Sequence, residues 1–284
     1  MKKTSITTIG LIIKSTLVLL LFFTSCKDTT LEESKTYYEN GNLKSVEYLN
    51  ERGNKEGENK YYTEEGILSY ITTFKNGNPL KTLHFYEDGK LRYSSELKQK
   101  DTIKAINYFK DGKVKTMGNL INDIKVGWWS EYLPDGKLDT EYEYLSIDGK
   151  EYLNQIKVYN GNGKIRENES SFFVLNIPDT IQMGKNAGNL NYYSTPTKDS
   201  ERHLYVIIDN EYEGGIIKKD TFFIEKNQKN RFGIYAYKLG FLKVKGTILD
   251  RELYEIKRDK NSFGLEFKDC YKYFEKEVYV KDKK

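Results

Sequence analysis

The chain has 284 residues, 31% charged and 38% hydrophobic, with 24 Tyr against 2 Trp. Such aromatic content argues against disorder, and two His with two Cys leave little for a zinc site, a His-based triad or a disulfide scaffold. The net charge of +4 includes Lys2, Lys3 and Lys14 in an N-terminal stretch without acidic residues; the remainder carries only +1, which gives no basic face for nucleic acid.

Lys2 and Lys3 open the chain, and Ile9 to Phe23 is apolar apart from Gly10, Lys14, Ser15 and Thr16. The unbroken core, Leu17 to Phe23, is far short of the roughly 20 residues needed to span a bilayer, so the segment reads as a secretory signal. It ends in Phe23-Thr24-Ser25-Cys26, which resembles a bacterial lipobox. That resemblance implies a lipoprotein signal over 1–25, diacylation of Cys26, a polar tether over 26–34, and a home in the cell envelope, at the outer membrane, with the leaflet left open. The other cysteine, Cys270, sits among Phe267, Tyr271 and Tyr273 and reads as a small buried residue.

From residue 35 to 170 a motif recurs about every 24 residues. Tyr37-Tyr38-Glu39-Asn40-Gly41 returns as Tyr61-Tyr62-Thr63-Glu64-Glu65-Gly66, Phe85-Tyr86-Glu87-Asp88-Gly89, Tyr108-Phe109-Lys110-Asp111-Gly112, Tyr132-Leu133-Pro134-Asp135-Gly136 and Val158-Tyr159-Asn160-Gly161-Asn162-Gly163. Asn-Gly and Asp-Gly supply the positive φ of tight hairpin turns, and the flanking Tyr, Phe, Val, Ile and Leu suit a pleated surface. Second turns fall between units, at Lys75-Asn76-Gly77-Asn78, Lys100-Asp101, Asn122-Asp123 and Ile147-Asp148-Gly149. The pattern predicts an antiparallel meander with two strands per unit.

The stretch Gly118 to Leu138, with Gly127-Trp128-Trp129, the aromatic Tyr132 and the turn Pro134-Asp135-Gly136-Lys137-Leu138, resembles the MORN-repeat variant of an antitoxin-type family of bacterial hairpin-repeat proteins. The resemblance implies an elongated sheet used for binding and carries no catalytic residue. Because neighbours on a strand point to opposite faces, Tyr37, Tyr61, Phe85, Tyr108 and Tyr132 are expected on one face, and Tyr38, Tyr62, Tyr86, Phe109 and Tyr159 on the other. Two readings stand. The rings are a structural ladder, or Trp128, Trp129, Tyr132, Tyr108, Phe85 and Tyr61 mark a partner-binding patch.

The repeat stops after Ser170, and residues 171–284 are about the size of an immunoglobulin-like β-sandwich. Strand candidates are Phe172–Ile177, Leu190–Tyr193, Leu204–Ile208, Thr221–Ile224, Gly233–Leu239, Leu242–Leu249, Gly264–Phe267 and Tyr271–Val280. The fold class is thus all-β, a hairpin-repeat sheet followed by a sandwich. No nucleophile elbow, phosphate loop, dinucleotide fingerprint or calcium loop appears, and His84 and His203 read as surface or turn residues. The expectation is a non-enzymatic, cofactor-free envelope protein that binds or scaffolds a protein partner through its repeats. The alternatives are an immunity protein that neutralises a toxin, and a glycan-binding accessory protein using tyrosine platforms.

Overall fold

The structure is a computed structural model describing residues 31–195, 200–224, 230–257 and 262–283. The signal segment and Cys26 lie outside the described residues. From Glu32 to Val158 the chain builds one antiparallel sheet of 11 strands, each beside its sequence neighbour. These are β1 (Glu32–Tyr37), β2 (Leu43–Leu49), β3 (Gly57–Tyr62), β4 (Leu68–Lys75), β5 (Asn78–Phe85), β6 (Leu91–Leu97), β7 (Thr102–Tyr108), β8 (Val114–Ile121), β9 (Ile124–Tyr132), β10 (Leu138–Ile147) and β11 (Lys150–Val158). Glu32, Glu33 and Ser34, expected to end the tether, belong to β1, where they pair with Leu49, Tyr48 and Glu47.

One turn design repeats along one side of the sheet. Tyr38 N donates to Asn42 O at 2.8 Å and Gly41 N to Tyr38 O at 3.0 Å; the same two bonds close Thr63–Ile67, Tyr86–Lys90, Phe109–Lys113, Leu133–Lys137 and Asn160–Lys164. The turn glycine takes φ between 74° and 88° in all six, where a Cβ would be strained. Asp88, Asp111 and Asp135 accept from the backbone N–H two residues on, at 3.2, 3.1 and 3.0 Å, which is why the turn reads Asp-Gly-Lys. After the first five turns the exit strand carries one extra residue. Tyr37 opposes Leu43 while Thr36 opposes Ser45, and Tyr62, Phe85, Tyr108 and Tyr132 mark the same shift. Such bulges strengthen the twist. On the other side, Asn76-Gly77, Asn122-Asp123 and Asp148-Gly149 form two-residue turns with both φ positive.

These turns correct the expected phase of the ring doublets. Hydrogen bonding counts back from the glycine, and Tyr61-Tyr62 stands one residue further from Gly66 than Tyr37-Tyr38 does from Gly41. Tyr62, not Tyr61, therefore occupies the position of Tyr37, and Tyr61 points to the opposite face. Tyr159 also falls in the Tyr37 position, bridged to Ile165 as Tyr37 is to Leu43.

The remaining strands are β12 (Phe172–Asn176), β13 (Thr180–Gln182), β14 (Gly184–Tyr193), β15 (Glu201–Tyr212), β16 (Ile216–Ile224), β17 (Arg231–Ala236), β18 (Gly240–Lys257) and β19 (Phe263–Lys281). A sheet β12-β14-β17 packs on a sheet β13-β19-β18-β15-β16, with β13 parallel to β19. Their facing side chains, Leu190, Phe232 and Ile234 against Val206, Ile208, Ile248 and Val278, are 2% exposed or less and form one core. The candidates Gly264–Phe267 and Tyr271–Val280 prove to be a single strand. Lys268-Asp269 looks like a break in sequence, but Arg251 on β18 grips both Asp269 oxygens at 2.7 Å and carries the pairing through. Cys270, expected to be buried, is exposed, beside Ser194 and Thr195 where β14 has already ended.

Candidate functional site

The repeat sheet presents two unlike faces. On the first, opposed residues run Tyr61–Tyr70–His84–Tyr93 across β3 to β6. Tyr61 and Tyr70 stack at 4.3 Å, and His84 continues the row at 5.1 Å from Tyr70 and 5.6 Å from Tyr93. The ring faces of Tyr61 and Tyr70 are thus turned toward one another, while Tyr93 is tilted by 58° from His84. Half-burial, then the nearby Arg92, lowers the His84 pKa and keeps its imidazole neutral inside the ladder. Beside this row lies a line of small residues, Asn59, Thr72, Thr82, Ser95, Ala105 and Gly118, several of them withdrawn from solvent.

On the second face each unit sets one ring against one aliphatic side chain: Tyr37 with Leu43, Tyr62 with Leu68, Phe85 with Leu91, Tyr108 with Val114, Tyr132 with Leu138. Val46, Ile71, Leu83, Ile106 and Met117 share this face by alternation along their strands. Apart from Val46 these side chains are half-buried or exposed, and among the described residues no second layer covers them.

The six candidate contact residues divide between the faces. Phe85, Tyr108, Trp128 and Tyr132 lie on the ring-and-aliphatic face. Trp128 carries Lys157 Nζ 4.1 Å from its ring centroid, a cation–π contact. Tyr61 belongs to the ladder and accepts from Lys55 Nζ at 2.8 Å through its hydroxyl. Trp129 also lies on the ladder face and is only 8% exposed. Three residues of β9, Gly127 to Trp129, face the single Gly118 of β8, so the indole folds flat over that glycine. Its Nε1 donates to Asn119 O at 3.1 Å.

The MORN repeat variant family model matches residues 33–50 and 55–76. A search of curated proteins gives no match to the chain. The matched MORN-variant residues span β1 to β4, the first two units, and do not include the Gly-Trp unit whose sequence carried the resemblance. The turn bonds and the bulge after the turn are the same in the matched units and in the Gly-Trp unit.

At the far end of the repeat sheet, β11 meets the sandwich through one side chain that sequence reasoning missed. Asn154 is the extra residue of a bulge in β11, between Leu153 opposite Tyr144 and Gln155 opposite Glu143. Freed from the ladder, its amide accepts from Tyr273 N at 2.8 Å and donates to Tyr273 O at 2.9 Å, replacing a neighbouring strand. Lys272 Nζ donates to Asn154 O at 2.7 Å in a buried position, and burial lowers the lysine pKa. Tyr152 OH donates to Tyr271 O at 2.6 Å; its pKa is pushed up to about 12 by burial first, then by Cys270, Tyr273 and Tyr271. Nothing in the sequence around Asn154 marks a bulge.

Among the clefts on the surface, three bear on the site. One of about 410 Å³ lies between β10 and the sandwich, near Leu145, Ile147, Lys245 and Glu275. One of about 660 Å³ lies beside Tyr212, Asp220, Phe222 and Tyr235. One of about 420 Å³ lies on the ladder face, with Asn107, Thr116, Lys125, Trp129, Glu131 and Tyr144. Of the acidic groups in the second and third, Glu131 accepts from Tyr142 OH at 3.3 Å, and Asp220 from Tyr212 OH at 2.6 Å and Asn210 Nδ2 at 2.7 Å. Among the described residues no group of His, Cys, Asp or Glu is placed to hold a metal ion. No described helix is long and apolar enough to cross a membrane. His84 and His203 are both half-buried in strands rather than in turns, 84 in the ladder and 203 beside Phe223.

Proposed function

We propose that the chain is a lipid-anchored envelope protein that binds and scaffolds a protein partner along the ring-and-aliphatic face of its repeat sheet. The observation that carries this reading is the uncovered row of one ring and one aliphatic side chain per unit, from Tyr37 to Leu138, on a sheet with no second layer among the described residues. A contiguous row of half-exposed apolar side chains that nothing covers suits an interaction site. A tyrosine platform for glycans is less well supported, because the most regular tyrosine row, Tyr61–Tyr70, spends its ring faces on internal stacking. The anchoring part rests on Phe23-Thr24-Ser25-Cys26. An immunity role remains a finer form of the same binding reading.

Two measurements test it. Photo-crosslinking residues placed at Ile106 and at Ala105 report opposite faces of the same strand in envelope preparations; discrete adducts from Ile106 alone are expected, and equal yields from both would remove the face assignment. Radioactive palmitate is expected to label the chain and not its Cys26→Ala variant; an unlabelled wild type would remove the anchor.

A further inference from the structure

Two strands of the sandwich run on after their neighbours have stopped. On one side, β15 pairs with β18 only as far as Glu201 opposite Leu253, yet β18 and β19 continue together to Lys257 opposite Phe263. On the other side, β13 covers β19 only at Tyr279 to Lys281. A two-stranded arm therefore projects, and between Phe263 and Cys270 the outer edge of β19 has no strand against it among the described residues. An isolated hairpin is marginal in water and wants a third strand. The arm also exposes apolar side chains, with Phe263, Leu265 and Phe267 at 67%, 66% and 63%. Long apolar edges of this kind are what natural proteins normally blunt. The edge of β1 is blunted by Glu32, Glu33 and Lys35, and the edge of β16 carries Lys218, Lys219 and Asp220 beside its exposed Ile216 and Ile217.

The backbone direction of that free edge is known. Tyr273 N and O both reach outward to Asn154, and Tyr279 N reaches outward to Asp179 O, so odd-numbered residues of β19 offer their N–H and C=O to a new strand. A second copy can dock antiparallel about a two-fold axis in a few registers. Centring on Glu266, Lys268 or Asp269 sets like charges face to face. Centring on Leu265 avoids like charges but sets Glu266 opposite Gly264 and makes no charge pair, whereas centring on Phe267 sets Phe267 against Phe267 and places Glu266 opposite Lys268 twice.

We propose that the arm is a self-association surface, in which the free edge of β19 pairs with the same edge of a second copy, Phe267 opposite the partner's Phe267 and Glu266 opposite the partner's Lys268. The two arms then form a four-stranded sheet that gathers Phe263, Leu265 and Phe267 of both copies on one face. The site is independent of the repeat surface, so either can fail without the other.

The test uses the full chain in density-matched detergent, followed by sedimentation. A dimer is expected for the wild type. Glu266→Lys or Lys268→Glu alone sets like charges opposite each other and weakens it by roughly tenfold, and the double exchange restores it. Independently, Gly264→Cys in a Cys26→Ala background places its thiol opposite Cys270 of the other copy at a pair without hydrogen bonds, where Cα atoms lie about 4.5 Å apart, within disulfide reach. Mild oxidation is expected to give a covalent dimer that disappears in Gly264→Cys/Cys270→Ser and is not seen with Cys270 alone. A wild type that stays monomeric at about 100 μM, a concentration that detects even weak association, would overturn the proposal. So would a dimer indifferent to the charge exchanges, or the lack of a crosslink.

Discussion

In the repeat sheet the residues withdrawn from solvent are mostly small or polar, among them Ser45, Asn59, Thr72, Ala105 and Thr140, with Val46 and the much larger Trp129 as exceptions. In the sandwich they are Leu190, Val206, Ile208, Phe232, Ile248 and Val278. The two halves share a strand-rich, charge-rich composition and yet hold together differently. A single layer cannot surround a side chain, so its cohesion comes from ladder bonds and from neighbouring cross-strand pairs, each contributing roughly 0.2–1 kcal/mol. The sandwich encloses a core in which one residue touches both sheets. Stability in the first half is a sum of nearest-neighbour terms, as in other repeat proteins, whereas in the second it is shared by the whole core.

The sharpest way to break this comparison is to truncate one apolar residue in each half. Leu190→Ala empties a fully buried position and is expected to cost about 2–5 kcal/mol. Leu83→Ala, half-buried on the ring-and-aliphatic face, is expected to cost about 1 kcal/mol. Urea unfolding of the two variants decides; equal losses would mean that the repeat sheet has a closed core after all.

The larger exception in the repeat sheet offers the next test. A Cβ added at Gly118 would stand 2.2 Å from Trp129 Cδ2, and the backbone leaves it no room to move. Gly118→Ala is expected to lift the indole and cost about 1–3 kcal/mol, with a red shift of tryptophan emission. The sandwich uses the same device at Gly188 under Phe232 and at Gly246 under Phe274, where the added Cβ would meet ring carbons at 2.4 and 2.3 Å. Unchanged emission in Gly118→Ala would show that Trp129 does not rest there.

How much of this was legible depends on whether the information is local. The six turns could be read because positive φ at Gly41, Gly66, Gly89, Gly112, Gly136 and Gly163 demands glycine whatever surrounds it. The face of Tyr61 could not, because it depends on the distance to Gly66 and on a bulge that shows only in the pairing. In the sandwich, β19 was split in two because the charges at Lys268 and Asp269 resemble a turn until Arg251 is seen opposite. The placement of Trp128 and Trp129 on opposite faces follows from alternation, but the burial of Trp129 required knowing that Gly118 lies beneath it.

Where the two halves meet, Asn154 makes their coupling testable. Asn154→Ala leaves Tyr273 N and O without partners, a loss of about 1–3 kcal/mol. The loss is expected to appear as faster amide exchange at β11 and at residues 271–273, with the distant units β1 to β6 unchanged. Exchange that quickens across the whole repeat sheet would show that the halves unfold as one body and that the nearest-neighbour picture fails.

The smallest effect carries its own sign. Tyr152 OH donates to Tyr271 O across this junction, and the folded protein holds that proton up to about pH 12, against about 10 in an unfolded chain. Between those values the native state binds more protons than the unfolded one, so stability falls as pH rises. The contribution is present in full below about pH 10 and is lost as pH climbs through the folded value. Tyr152→Phe is expected to be less stable than the wild type by about 0.5–1.5 kcal/mol at neutral pH, and the gap should close as pH rises from about 10 to 12. Taking the difference between the two proteins cancels the other tyrosines whose pKa is raised, Tyr159 and Tyr192 among them. A gap that stays constant across that range would show that the hydroxyl does not titrate late, and that the two halves touch at Tyr152 without sharing its proton's stabilisation.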